Sequence, residues 1–413
     1  MQRTMIKFIC NFIAASSAII ALYAFSPTVL AHGERSQEPF LRMRTIHWYD
    51  TSWSTDKVGI NDKVVLTGRF HIYEEWPEVI NKPEVAYLAN ATPGPVFARE
   101  ESYINEVPML KSTKLELGRD YEYRVVLRGR IAGRHHVHPM INVQSAGGLV
   151  GPGLWITVSE NGQAPTAPIT TLTGETVDME HYGIEDVYKW HIIWAVIAVA
   201  WLLWWLRRPL IIPRYRMVLA GDEEDALITS TDKIVALVLF FGVIALVIVG
   251  TQMARSKYPI SIPLQTGIVH VDPLPRAPEV VTIKLKDSRY RIPGRSMTME
   301  LEVTNHGDKA VTLGEFNSAS IRFLNPDVVK ILPGYPGDMV AEEGLTIEGD
   351  QWIQPGETRI VNVKAQDALW ETERLSSLIL DPDSRFGGLL FFFDAEGNRF
   401  ITEVGGPILP TFI

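Results

Sequence analysis

Two apolar runs constrain this chain more than any other feature. Residues 190–206 and 234–254 contain no Asp, Glu, Lys or Arg, and the first holds Trp190, Trp194, Trp201, Trp204 and Trp205. A helix crosses the ~30 Å hydrocarbon core of a bilayer with about 20 apolar residues, so the second run spans it and the first just reaches. Tryptophans near the ends suit the interfacial belt. A buried helix of a soluble fold is the alternative, but charge-free runs of this length are rare there. The connection at 207–233 carries Arg207, Arg208, Arg214, Arg216 and Lys233. The outer flanks offer only Lys189, Arg255 and Lys257. Positive charge favours the cytoplasmic side, which places the connection in the cytoplasm and both large flanks in the periplasm. The run Asp222-Glu223-Glu224-Asp225 reads as a solvated turn of that connection.

The amino terminus agrees with export. Arg3 and Lys7 precede an apolar stretch at 8–25, and Val29-Leu30-Ala31 supplies compact residues before a cleavage point. Residues 1–31 therefore read as a signal peptide, with an uncleaved anchor helix as the alternative. Cleavage after Ala31 makes His32 the new amino terminus. The single cysteine, Cys10, lies inside this leader. The mature chain then has no thiol, and a blue-copper centre, which needs a cysteine thiolate, is excluded. The net charge of −9, without a long basic run, argues against nucleic acid as a partner.

The flanks read as β structure. In residues 32–172, Val64, Leu66, Phe70 and Ile72 share one strand face while Thr67, Arg69 and His71 share the other. Tyr123, Val125 and Leu127 alternate inward in the same way, and Pro93-Gly94-Pro95 and Gly151-Pro152-Gly153 break the runs. A β-sandwich or a small barrel satisfies this pattern. The Thr- and Pro-rich stretch at 162–174 leads towards the membrane, and 173–189 forms the linker. Residues 260–413 read as a second β-sandwich. Within it, residues 297–304 alternate, and Gly387-Gly388-Leu389-Leu390-Phe391-Phe392-Phe393 reads as a buried strand followed by a turn.

Histidine is concentrated in the first β region: His32, His47, His71, His135, His136 and His138, out of ten in the chain. Residues two apart on a strand project from one face, so His136 and His138 converge while His135 points away. A free His32 offers its α-amine and ring nitrogen to one ion. Its amine, with a pKa near ~8, deprotonates for binding at neutral pH. His32, His136 and His138 together supply four nitrogens, a set that suits copper(II). Zinc is the alternative metal, but no glutamate-bearing zincin motif is present. His47 and His71, on the polar faces of their strands, form a candidate second site, with an ordinary polar strand face as the alternative.

Several stretches carry a resemblance: HGERSQEPFLRMRTIHWYD from His32, GRFHIYEEWP around His71, RHHVHPMINV around His136, GPGLWITV from Gly151, DALWETERL from Asp367 and SRFGGLLFFFDAEGNR from Ser384. Through them the chain resembles the B subunit of the particulate, copper-dependent monooxygenases, which oxidise ammonia or methane in bacterial inner membranes. The resemblance implies two periplasmic cupredoxin-like β-sandwich domains joined by two transmembrane helices. It implies copper at His32, His136 and His138, and a second, variably occupied site at His47 and His71. It also implies subunits A and C as partners in a trimer of three-subunit protomers, with O2 as oxidant. His135 before the His-x-His pair and the segment HGERSQEPFLRMRT resemble the ammonia-oxidising members. Hydroxylamine formation from ammonia is therefore expected, with methane or short-alkane oxidation, or a copper-holding scaffold role, as alternatives. Glu34 is a candidate group behind the ligands, with an ordinary solvent-exposed carboxylate near the terminus as the favoured alternative, and no general acid or base stands out.

Overall fold

The structure is a computed structural model describing residues 37–412, except 172, 209–210, 222, 261–266, 293–294, 333, 335–338 and 382. The expected leader, His32 and Glu34 lie outside the described residues. Two compact units are present: residues up to 163 together with those from 267 onward form one, and 164–266 form the other.

The first unit opens with a β-sandwich. One sheet has the order Ile46–Trp53, Lys63–Ile72, Arg119–Gly129, Phe97–Ile104, Val107–Pro108. The facing sheet runs Ser112–Thr113, Ala86–Ala91, Gly133–Val143, Leu154–Ser159, Lys57–Gly59, with Gly147–Val150 pairing the Gly133–Val143 strand. Trp48, Leu66, Phe70, Tyr121 and Val125 from one sheet and Leu88, Val137, Ile141 and Ile156 from the other share one core. Two facing sheets, rather than a closed barrel, thus bury the alternating residues. Ile268–Val269 pairs in parallel with Ser112–Thr113, and Val271 enters the same core. The chain therefore adds to the first sandwich before building the second.

The second sandwich sets Leu345–Ile347, Thr358–Gln366, Ser296–Asn305, Val281–Ile292 and Leu409–Phe412 against Val340–Ala341, Ile321–Leu324, Val311–Ser318, Arg385–Asp394 and Arg399–Pro407. The apolar run of the Arg385–Asp394 strand is explained by burial of both its faces. Phe386, Leu390 and Phe392 enter the second core, whereas Leu389, Phe391 and Phe393 pack with Tyr49 of the first sandwich. The same contact covers the outer face of Ile46–Trp53 and Lys63–Ile72. His47 and His71, on what reads in sequence as a polar face, are consequently buried.

The short helix Pro39–Met43 sits between the sandwiches: Leu41 packs on the first core, and Phe40 and Met43 on the second. The Arg42 guanidinium forms a buried ion pair with Glu373 at 3.3 Å and donates to the carbonyls of Glu373 and Ala319, both at 3.1 Å.

In the second unit, helices Ile184–Leu206 and Ser230–Lys257 are long and apolar enough to cross a membrane. Each extends beyond its charge-free run because polar turns continue the helix. Asp186 of one pairs with Lys257 of the other at 2.7 Å. At the opposite end Thr229 and Asp232 form a reciprocal capping box, and Asp232 also accepts from Trp204 Nε1 at 2.9 Å and from Arg208.

Candidate metal centre

The strand Gly133–Val143 is paired on both edges, with Trp155 opposite His136 on one side and Ala91 opposite His138 on the other. Pairing on both edges fixes its alternation. Val137 is fully buried in the core, and the half-buried His136 and the buried His138 lie together on the opposite face. Their ring centroids are 4.3 Å apart at 76°. Two imidazoles sharing one ion at ~2 Å per metal–nitrogen bond have centroids within about 6.5 Å, so the pair is close enough. His136 stacks on Trp155 at 4.8 Å, and the Arg134 guanidinium covers the same indole at 4.8 Å. His138 Nδ1 donates to the Gly151 carbonyl at 3.0 Å, which leaves Nε2 as the ring's lone-pair nitrogen.

Gly153 provides the test of fit. A Cβ added there would lie 2.5 Å from His138 Cε1 and 2.8 Å from His136 Nε2. The absent side chain lets both rings close on the bare backbone there, His136 by its Nε2 edge, and any side chain at this position would push a ring aside. His135 is separate: its Nε2 lies 2.9 Å from the Ile131 carbonyl and its ring meets Phe97 edge-on.

His47 and His71 face each other as cross-strand partners on adjacent strands. They are chemically unlike. His47 is fully buried, with Tyr73 edge-on at 5.4 Å, and neither ring nitrogen has a hydrogen-bond partner among the described residues. Burial, followed by repulsion from His71, pushes it down to about 3, so it is neutral. His71 donates to Asp120 at 3.1 Å and to Glu403 of the second sandwich at 2.8 Å. Burial pulls His71 down, but the hydrogen bonds and charges of both carboxylates outweigh it and hold it up at about 9. It is therefore an imidazolium at neutral pH. Asp120 is held below the usual carboxylate range: burial opposes this, but His71 and Tyr49 prevail.

An unpaired, buried imidazole is costly unless an ion or water satisfies it, so His47 fits a ligand's role. His71 fits that role only after losing a proton. Among the described residues, no group of three or more His, Cys, Asp or Glu is arranged to hold a metal. Sequence reasoning missed Gly153, Asp120 and Glu403. The first could be found from the Gly151-Pro152-Gly153 break beside the histidine strand. The other two become visible only once the register and the packing of the sandwiches are known.

A family model for the B subunit protein of monooxygenases matches residues 33–412. The particulate methane monooxygenase alpha subunit of Methylococcus capsulatus (strain Bath) is 50% identical over 398 residues, covering 96% of each chain. Among solved structures, the cupredoxin domain of amoB from Nitrosocaldus yellowstonii aligns with 31% of this chain and 95% of its own, at 17% identity and a TM-score of 0.24. A Porphyromonas gingivalis protein of unknown function aligns with 87% of this chain and 97% of its own, at 8% identity and a TM-score of 0.18. On the family match and the end-to-end relative, this chain belongs to the monooxygenase B subunit family.

Proposed function

We propose that this chain is the B subunit of a copper-dependent monooxygenase complex of the bacterial inner membrane, with methane or another short alkane as substrate. The observation that carries the copper assignment is the convergence of His136 and His138 against the bare backbone of Gly153. The whole-length relative named for methane supports the substrate class. The two apolar helices anchor the chain, the sandwiches face the periplasm, and subunits A and C complete the complex.

His136 and His138 hold the metal through one face of a strand, and cleavage after Ala31 adds the α-amine and ring of His32. His47 and, once it has lost a proton, His71 would form a second, variably occupied site. Bound copper supplies one-electron redox chemistry that nitrogen donors of this kind support. In the overall reaction one oxygen atom of O2 enters the substrate, and the other leaves as water with two electrons and two protons from an external reductant. The chain's own contribution is geometric. Gly151 orients His138, Trp155 fixes the plane of His136, and the doubly paired strand holds both rings in place.

Ammonia is the second reading, favoured by the segment HGERSQEPFLRMRT and by His135. The ring of His135 bonds the Ile131 carbonyl on the other strand face, so it marks lineage and makes no contact at the His136–His138 face. Competition between methane and ammonia in membranes holding the complete three-subunit complex, at matched copper and reductant, separates the two readings. A higher kcat/KM for methane is expected. A higher value for ammonia would move the assignment to the second reading.

A further inference from the structure

Beyond Arg208 the next described element is the helix Ile211–Leu219. Pro213 falls in its first turn, where the missing N–H costs no intrahelical bond. At about 100° per residue, Ile211, Ile212, Tyr215, Val218 and Leu219 share one face, an arc of about 120°. All five are more than half exposed. Arg214 and Arg216 flank this arc, one on each side. Nine residues are too few for a helix to persist alone in water, so its apolar face needs a cover. Positive charge gathers beside it, at the end of the helix Ile184–Leu206. The Arg207 guanidinium lies 3.8 Å from the ring centroid of Trp204, and that of Arg214 lies 5.1 Å from Trp205. Arg208 is engaged within the protein, by Asp232 and Thr229. Arg207, Arg214 and Arg216 have no carboxylate partner among the described residues.

We propose that the helix Ile211–Leu219 lies in the bilayer surface and binds anionic phospholipid headgroups through Arg207, Arg214 and Arg216. The proposal rests on the membrane anchoring proposed above and is independent of copper. Tryptophans at the end of a membrane helix mark the headgroup level, so the two arginine–tryptophan contacts hold guanidinium groups where lipid phosphates lie. A guanidinium matches a phosphate with paired hydrogen bonds. Where arginines flank an apolar arc, their stems follow the acyl chains and their charged ends reach the phosphates. A protein partner would need an apolar face bordered by acidic groups at the same spacing. An anionic leaflet supplies that order of layers by its own construction, hydrocarbon below and negative charge above.

The test uses the full complex in nanodiscs of phosphatidylcholine alone, or of equal parts phosphatidylcholine and phosphatidylglycerol. Amide hydrogen exchange across residues 211–219 is followed by mass spectrometry at low and at high salt. The native chain is compared with two double variants, Arg214→Gln with Arg216→Gln and Arg214→Lys with Arg216→Lys. Native exchange should be several-fold slower with phosphatidylglycerol present, and high salt should reduce the difference. Each arginine at an anionic surface raises affinity for it about fivefold, so the glutamine pair should remove most of the difference. The lysine pair keeps the charge and should retain it. Equal native exchange in the two lipids would overturn the proposal. Fast exchange in both would leave the face open to water, and slow exchange in both would mean that a partner subunit covers it. A glutamine pair that keeps the full lipid dependence would overturn it as well. Alkaline carbonate extraction of the membranes decides the anchoring separately. A chain released by carbonate overturns both readings, whereas a retained chain without phosphatidylglycerol dependence overturns this one alone.

Discussion

The convergence of His136 and His138 was legible from spacing alone, because a two-residue period puts them on one strand face in any sheet. What surrounds them was not. Gly153 matters only because its backbone passes beside both rings. Gly153→Ala should therefore displace an imidazole and reduce copper per chain well below that of the native protein, as metal analysis of the purified complex would show. His71 carries a pH prediction. Its folded value, about 9, lies above the ordinary 6.5, so its contribution to stability is full below about pH 6.5 and is lost as pH rises through about 9. In copper-free protein, Glu403→Gln should cost about 2 kcal/mol near neutral pH, the scale of a hydrogen bond to a charged group. The deficit should shrink above about pH 9 in unfolding measurements across the range. His47 acts oppositely: held down to about 3, it stabilises above pH 6.5 and loses that contribution as pH falls towards 3. Neither carboxylate partner of His71 was readable, since they lie 49 and 332 residues away and meet it through register and packing.

Among elements, the apolar helices were read from absent charge and the strands from alternation, and each signal has a blind spot. A charge-free run marks the part of a helix in hydrocarbon and omits the polar turns beyond it. The helix Ile184–Leu206 therefore starts before Trp190, and the Thr229–Asp232 box opens the other before Ile234. Asp232→Ala removes that cap and the partner of Arg208 and Trp204 together. It should lower the thermal midpoint in detergent and increase proteolysis within the connecting segment, while Asp232→Asn, which keeps an acceptor, should do less. Alternation likewise reports which residues face one core and says nothing of a second body covering the other face. Ile46–Trp53 and Arg385–Asp394 are buried on both sides for that reason, and only the continuous apolar run of the latter announced it.

Across the whole molecule, the contact between the sandwiches is held by charge as well as by Tyr49 and its phenylalanine neighbours. Arg42 pairs with Glu373, Arg44 with Asp383, and Arg399 with Asp50. Arg42 and Glu373 are almost wholly buried, so Arg42→Ala, which strands one charge, should cost about 3–5 kcal/mol. Replacing both, by Arg42→Met with Glu373→Leu, should recover much of that loss in a double-mutant comparison by thermal or denaturant unfolding. This seam was hidden in the sequence because its partners are more than 300 residues apart. The seam also buries the His47–His71 pair, whereas the His136–His138 pair stands on the opposite sheet of the first sandwich. Copper held by this second pair, joined by the free amino terminus, is the property on which the proposed function depends. Copper content per chain in the purified complex, native against the double variant His136→Ala with His138→Ala, tests it most directly. The double variant should lose the tightly held copper, with any remainder at His47 and His71 and the fold intact by circular dichroism. Unchanged copper content in the folded double variant would contradict the assignment.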